Sequence, residues 1–233
     1  MPCWGTHLYI ANELNKKVKL DINEFLLGNL LPDMYSGWII KNASKIEIYE
    51  TSHIGKKTLL NGKKYTLPDV EKFEEENKDL FKNNILLLGY FVHILTDYFF
   101  NKYSFQNHYV KDENSKTIGC YLKNGEFLSG DAEYVKKYKH LDFLLFSNKK
   151  LKEIDDLKIE YKSDFIEKCK SINVMEIYEE DLIKTVKYAN EILVEKSEKN
   201  RNENEYKIFT EKELEEKTVE CIEFLYNIIK KYI

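Results

Sequence analysis

Residues 85–95 read Ile-Leu-Leu-Leu-Gly-Tyr-Phe-Val-His-Ile-Leu, the most apolar stretch of the chain. A segment apolar on every face has to be shielded on every face, and its continuation to about residue 104 marks it as a buried helix. Other elements must wrap around it, and the sequence supplies them mainly as helices. Apolar residues at helical spacing predict one over residues 6–17. A second starts at a cap, Asp21 or Asn23, and runs to Leu31, where Pro32 stops it. Pro68, Asp69 and Glu71 open another with acid at its positive end. Further helices are expected at 131–148, 161–171, 174–197 and 210–232, the last with Thr210 and Glu213 as a capping box. Asn61-Gly62 and Asn124-Gly125 each sit between short β-prone runs and predict two hairpins. Residues 46–50 alternate apolar and polar, as a short strand or extended segment would, and the polar stretch 197–205 is the candidate for a mobile loop. With only 9 Gly and 3 Pro, a turn-rich all-β fold is excluded. The expectation is an all-α multi-helix bundle with one or two short β-hairpins, a single domain over 1–233. No internal repeat or long heptad run is visible.

Composition narrows the function. Hydrophobic residues make up 43% of the 233, enough for a core and too many for a disordered chain. Lys+Arg is 36 against Asp+Glu 40, a net charge of −4, which argues against a general nucleic-acid coat protein. Arg201 is the one arginine among the basic residues, so phosphate binding has to rely on lysine, backbone amides or metal. The N-terminus lacks a secretory pattern, and the apolar run 85–95 is too short for a bilayer, which takes about 20 residues. A soluble, cytoplasmic protein is expected. The four cysteines, Cys3, Cys120, Cys169 and Cys221, form no CxxC pair. They read as reduced thiols and not as a metal site.

The five histidines, His7, His53, His93, His108 and His140, stand out by their neighbours. His93 and Asp97 are four apart, so on a helix they share one face. Both are polar inside the most apolar helix, where an ionised carboxylate is costly unless paired or metal-bound. Taken alone, the pair fits an internal hydrogen bond in the core, the commoner arrangement. Gly89, one turn before His93, would admit a close neighbour, and Asn101 extends the polar stripe beyond Asp97. Three other residues shift the balance: His7 at the start of the first helix, Asp33 after the proline stop, and His53 after the extended segment. Three imidazoles and two carboxylates at element boundaries or on a buried helix make a nitrogen and oxygen donor set. Such a set suits Zn²⁺, and Fe or Mn less specifically. Tyr35, Trp38, Tyr90 and Tyr98 are candidates for a cleft lining, although aromatics at helical spacing are more often core. Glu74 to Glu76 and Glu213 to Glu216 read as solvated faces. There is no Gly-rich phosphate loop, no GxSxG elbow and no HExxH motif.

Trp4-Gly5-Thr6-His7, Gly28-Asn29-Leu30-Leu31-Pro32-Asp33, Ser52-His53 and Gly89-Tyr90-Phe91-Val92-His93-Ile94-Leu95-Thr96-Asp97 occur in that order. The ordered series, over about residues 1–105, resembles the zinc-dependent phospholipase C superfamily, which includes bacterial phospholipases C, fungal single-strand nucleases and the catalytic part of glycosylphosphatidylinositol-specific phospholipase D. The resemblance implies an all-α fold, a cleft lined by one to three zinc ions and hydrolysis of phosphoesters. It implies that Asp33, His53, His93 and Asp97 form one zinc site, that His7 belongs to a second sharing Asp97, and that the catalytic water is handled at Asp33 or by the metal. The chain also departs from the pattern. Trp4 follows Met1-Pro2-Cys3, so the family's N-terminal tryptophan ligand is expected only if the chain is processed. Tyr103 stands near a position where the family has histidine, and His140 is followed four later by Leu144 instead of a carboxylate. His108, and His140 with Asp131 or Asp142, are the candidates for an additional metal. The expected activity is a metal-dependent phosphoester hydrolase acting on a phospholipid, nucleotide or small phosphate ester. The alternative is a non-catalytic metal-binding or interaction protein on the same helical fold.

Overall fold

The computed structural model describes residues 2–196 and 205–233. Most of the expected mobile loop, residues 197–204, therefore lies outside the described residues. The order is α1 (Trp4–Val18), α2 (Ile22–Leu30), a 3₁₀ turn (Leu31–Asp33), α3 (Tyr49–Ser52), β1 (Gly55–Leu60), β2 (Lys63–Pro68), α4 (Val70–Asn77) and α5 (Ile85–Asn107). Then come β3 (Tyr109–Lys111), β4 (Thr117–Tyr121), β5 (Phe127–Ser129), α6 (Ala132–Lys150), α7 (Phe165–Cys169), α8 (Glu179–Glu195) and α9 (Glu211–Ile229). The fold is mostly helical with two small antiparallel sheets, as expected.

Local chemistry explains the boundaries. Asp21, Asp69, Asn84 and Asp131 cap α2, α4, α5 and α6 through side-chain oxygens, and Thr210 with Glu213 closes the capping box of α9. Asn61 and Gly62 both have positive φ, 50° and 73°, as the tight β1–β2 turn requires. The second Asn-Gly pair joins β4 to β5, and β3 adds a strand that the sequence did not announce. Residues 46–50 meet the expectation of an extended segment only as far as Ile48. Ile46 and Ile48 are exposed, so their alternation marks no half-buried strand, and Tyr49 instead begins one helical turn. Helix α7 is shorter than expected at both ends, and at its C-terminal end the Asn84 side chain donates to the Lys168 carbonyl and the Ser171 hydroxyl.

Helix α5 is the axis of the molecule, buried from Leu86 through Asp97. Helix α2 crosses it backbone to backbone. A Cβ on Gly28 would lie 2.1 Å from the Leu86 carbonyl oxygen, and one on Gly89 would lie 2.4 Å from that of Phe25. Only glycine at both positions permits this approach. The core drawn around the two helices includes residues from Cys3 to Ile229. All four cysteines are buried, and none forms a disulfide.

Candidate metal centre

The glycine crossing decides where the polar groups meet. With α2 pressed on α5, the Asn29 carbonyl accepts a hydrogen bond from His93 Nδ1 at 2.7 Å, and the Asn29 amide donates to the Gly89 carbonyl at 3.2 Å. Pro32 then turns the chain through the 3₁₀ segment, which delivers Asp33 to the same level of α5. His53 is the C-cap residue of α3, and His7 lies one turn into α1. All five side chains, His7, Asp33, His53, His93 and Asp97, are buried.

They converge. His7 Nε2 is 3.4 Å from Asp97 Oδ1, and His53 Nε2 is 3.3 Å from Asp97 Oδ2 and 3.5 Å from Asp33 Oδ1. His93 Nε2 is 3.8 Å from Asp33 Oδ2 and 3.1 Å from His53 Nε2. The His7 and His93 rings stack at 3.9 Å. Two overlapping groups, His7–Asp33–His93 and His53–His93–Asp97, each hold ligand atoms within 4.8 Å of one another, close enough to share an ion.

The hydrogen bonds around the cluster set its polarity. Because His93 Nδ1–H donates to the Asn29 carbonyl, the Nε2 lone pair points into the cluster, the usual way a ligating imidazole is oriented from behind. His53 is held similarly by Ser52 Oγ at 2.8 Å, and the Ser52 carbonyl accepts from the Tyr90 hydroxyl. Burial pushes the His7 and His93 imidazoles down to about 3 and His53 well below its usual value, so all three are neutral bases at ordinary pH. Neutral imidazole is the form that binds metal. Among the described residues neither ring nitrogen of His7 nor Asp97 Oδ1 makes a hydrogen bond. Two carboxylates and three imidazoles inside a core are costly without a compensating cation. Nitrogen and oxygen donors without sulfur fit Zn²⁺, with Fe or Mn less specific, so the residues fit the metal.

The candidates for an additional metal stand elsewhere. His108 caps the end of α5, and its Nε2 lies 3.0 Å from Glu213 Oε1, which also accepts from the Tyr103 hydroxyl at 2.7 Å. Glu213 is therefore a partner of His108 and not part of a solvated face. His140 packs edge-on against Trp38 with ring centroids 5.2 Å apart. Asp131 caps α6, and Asp142 accepts the backbone N–H groups of Lys207, Ile208 and Phe209 at 2.7, 2.7 and 2.9 Å. Among the described residues none of these four joins a ligand cluster. Of the aromatics, Tyr35 and Tyr90 are core, Trp38 is exposed, and Tyr98 packs beside the β1–β2 hairpin.

The sequence reading missed two residues beside the cluster. Tyr49 stacks on His53 at 4.2 Å and reaches Asp97 Oδ2 at 3.5 Å. Burial first, then the Asp97 charge, raises the Tyr49 hydroxyl well above its usual pKa, so it stays a donor. Lys139 is buried on α6 and donates to Asn101 Oδ1 at 2.7 Å. A signal for Lys139 existed: it falls on the apolar stripe marked by Val135, Phe143 and Phe146. Tyr49, Asn101 and Lys139 also line a cavity of about 230 Å³ with Tyr65, Phe105 and Tyr109.

No curated protein and no solved structure matches the chain significantly. The family model described as Zinc dependent phospholipase C matches residues 6–189. That span contains His7, Asp33, His53, His93 and Asp97, the residues on which the sequence resemblance was built, and most of the helical fold that brings them together. Because the match runs from residue 6 to residue 189 of the 233, well beyond the four motifs, the chain belongs to the zinc-dependent phospholipase C family.

Proposed function

We propose that the protein is a zinc-dependent phosphoester hydrolase and that His7, Asp33, His53, His93 and Asp97 hold its metal. The observation that carries this reading is the convergence of three neutral, buried imidazoles on two buried carboxylates, with the His7 nitrogens making no hydrogen bond among the described residues. His53 and His93 present Nε2, fixed from behind by Ser52 and Asn29. Asp97 faces both His7 and His53 and so suits a position shared between two ions. Bound zinc would lower the pKa of water from about 15.7 to about 7 and polarise a phosphoryl oxygen. Asp33 faces His53 and His93 and acts as a ligand or accepts a proton from the attacking water. Tyr49, protonated, steadies Asp97 and forms the wall between the cluster and the cavity. The substrate is a phosphate ester whose organic group fits that cavity. Among the described residues no helix is long and apolar enough to cross a membrane.

Metal analysis of the purified protein, paired with phosphatase and phosphodiesterase assays, tests the reading. Bound zinc with turnover on a phosphate ester is the expected result. Bound metal with no turnover on any ester favours the non-catalytic metal-binding alternative, with which the placement of His108 and His140 outside the cluster agrees. Iron or manganese in place of zinc would correct the metal. A protein that binds no divalent metal would overturn both.

A further inference from the structure

Lys139 stands where the helical pattern calls for an apolar side chain. It is 2% exposed on the inner face of α6, between Val135 and Phe143. An ammonium has three donors. Among the described residues its Nζ donates to one acceptor, the neutral Asn101 amide, and no carboxylate lies within ion-pairing distance. Its other neighbours are the Phe105 and Tyr109 rings, with centroids 5.6 and 5.7 Å away. Two aromatic faces, one amide and the more distant Asp97 charge compensate a buried cation only in part. Lys111, Lys136 and Lys139 line the cavity with Glu50 and Glu133, and of these five Lys139 alone is buried.

Its position relative to the cluster is defined by a chain of hydrogen bonds. Asn101 accepts from Lys139 and donates to the Tyr49 hydroxyl at 3.4 Å, and Tyr49 reaches Asp97 at 3.5 Å. The amide is thus oriented with its oxygen toward the ammonium. An anion in the cavity meets Lys139 between the aromatic walls, with Tyr49 standing between it and Asp97 of the cluster. The sequence has a single arginine against many lysines and no Gly-rich phosphate loop, so lysine is the commonest cationic side chain it offers a phosphate.

We propose that Lys139 is the anion-binding residue of the active-site cavity. Its ammonium takes a non-reacting oxygen of a phosphate ester, while Tyr65, Phe105 and Tyr109 receive the small organic group. This rests on the phosphoester reading above for its substrate, but phosphate binding can be measured without turnover. The probe is inorganic phosphate, titrated by calorimetry into zinc-loaded protein and into Lys139→Met and Lys139→Arg. Methionine keeps the stem and removes the charge, so the fold, checked by circular dichroism, and the zinc content should be unchanged. Phosphate affinity should fall by about tenfold or more in Lys139→Met, as loss of a charge-assisted hydrogen bond does, and recover in part in Lys139→Arg. If the wild type turns over p-nitrophenyl phosphate, KM should rise more than kcat falls. Equal phosphate affinity in wild type and Lys139→Met overturns the proposal even if turnover is intact, and so does a wild type that binds no phosphate. Loss of fold or of zinc in Lys139→Met would make the lysine structural and overturn it too. A protein that binds phosphate through Lys139 but hydrolyses nothing keeps the proposal and loses the hydrolase. Vesicles of phosphatidylcholine and phosphatidylglycerol that compete with phosphate would identify the anion as a lipid headgroup, and vesicles that do not compete would identify it as a soluble ester. Either supports the proposal when the binding depends on Lys139.

Discussion

Asp97 lies one helical turn from His93, within 3.4 Å of His7 Nε2 and 3.3 Å of His53 Nε2. Removing it takes a shared carboxylate from three imidazoles at once. His93→Ala and Asp97→Ala should each lower zinc occupancy and thermal stability together, because metal bound only to the folded chain stabilises it. Unchanged zinc content in both variants would refute their ligand role. Acid acts on the same groups. In the metal-free protein His7 and His93 titrate near 3, against about 6.5 when exposed. Between these values the unfolded chain binds more protons than the native one, so stability rises with pH in that window. The contribution is whole above about 6.5 and is lost progressively as pH falls toward 3. Thermal melts of chelator-treated protein from pH 7.5 to 4.5 should show the midpoint falling with acid, and a His7→Asn variant should show a shallower fall. Parallel pH profiles for the two would contradict the buried neutral state of His7.

The elements meet at this point because of glycine. Any side chain at Gly28 or Gly89 would collide with the backbone of the facing helix. Gly28→Ala and Gly89→Ala should each cost about 1–3 kcal/mol, the usual range for overpacking a filled core. They should weaken zinc binding as well, since parting α2 from α5 pulls the Asn29 carbonyl from His93 and shifts Asp33. Denaturant melts with zinc titrations measure both. A variant of normal stability with weakened zinc binding would separate the two effects, whereas full retention of both would show that the crossing is not a constraint. The role of Gly89 was legible, since a glycine one turn before a buried histidine asks for a neighbour. That the neighbour is α2, through Gly28, was not, because no local pattern states which helices cross.

Across the whole molecule, distant segments are tied by buried polar groups. Asp142 on α6 holds three consecutive backbone N–H groups, 207 to 209, at the entry to α9. Asp142→Ala leaves buried donors unsatisfied and should cost about 3 kcal/mol in denaturant melts, with zinc content unaltered in the folded protein. Loss of zinc from folded Asp142→Ala would instead couple this anchor to the metal centre.

Periodicity, capping residues and turn dipeptides lie within a few positions of one another, so helices α1, α2, α5, α6 and α9 and both Asn-Gly hairpins could be read from the chain. His7, Asp33, His53, His93 and Asp97 could be named because polar side chains at helix ends and inside an apolar helix are conspicuous and match a family pattern. Their convergence, the helical turn at Tyr49, the pairing of His108 with Glu213 and the hydrogen bond from Lys139 to Asn101 depend on contacts between residues far apart in the chain. Such contacts are decided by how surfaces pack in three dimensions, and spacing along a single strand of sequence carries no record of them.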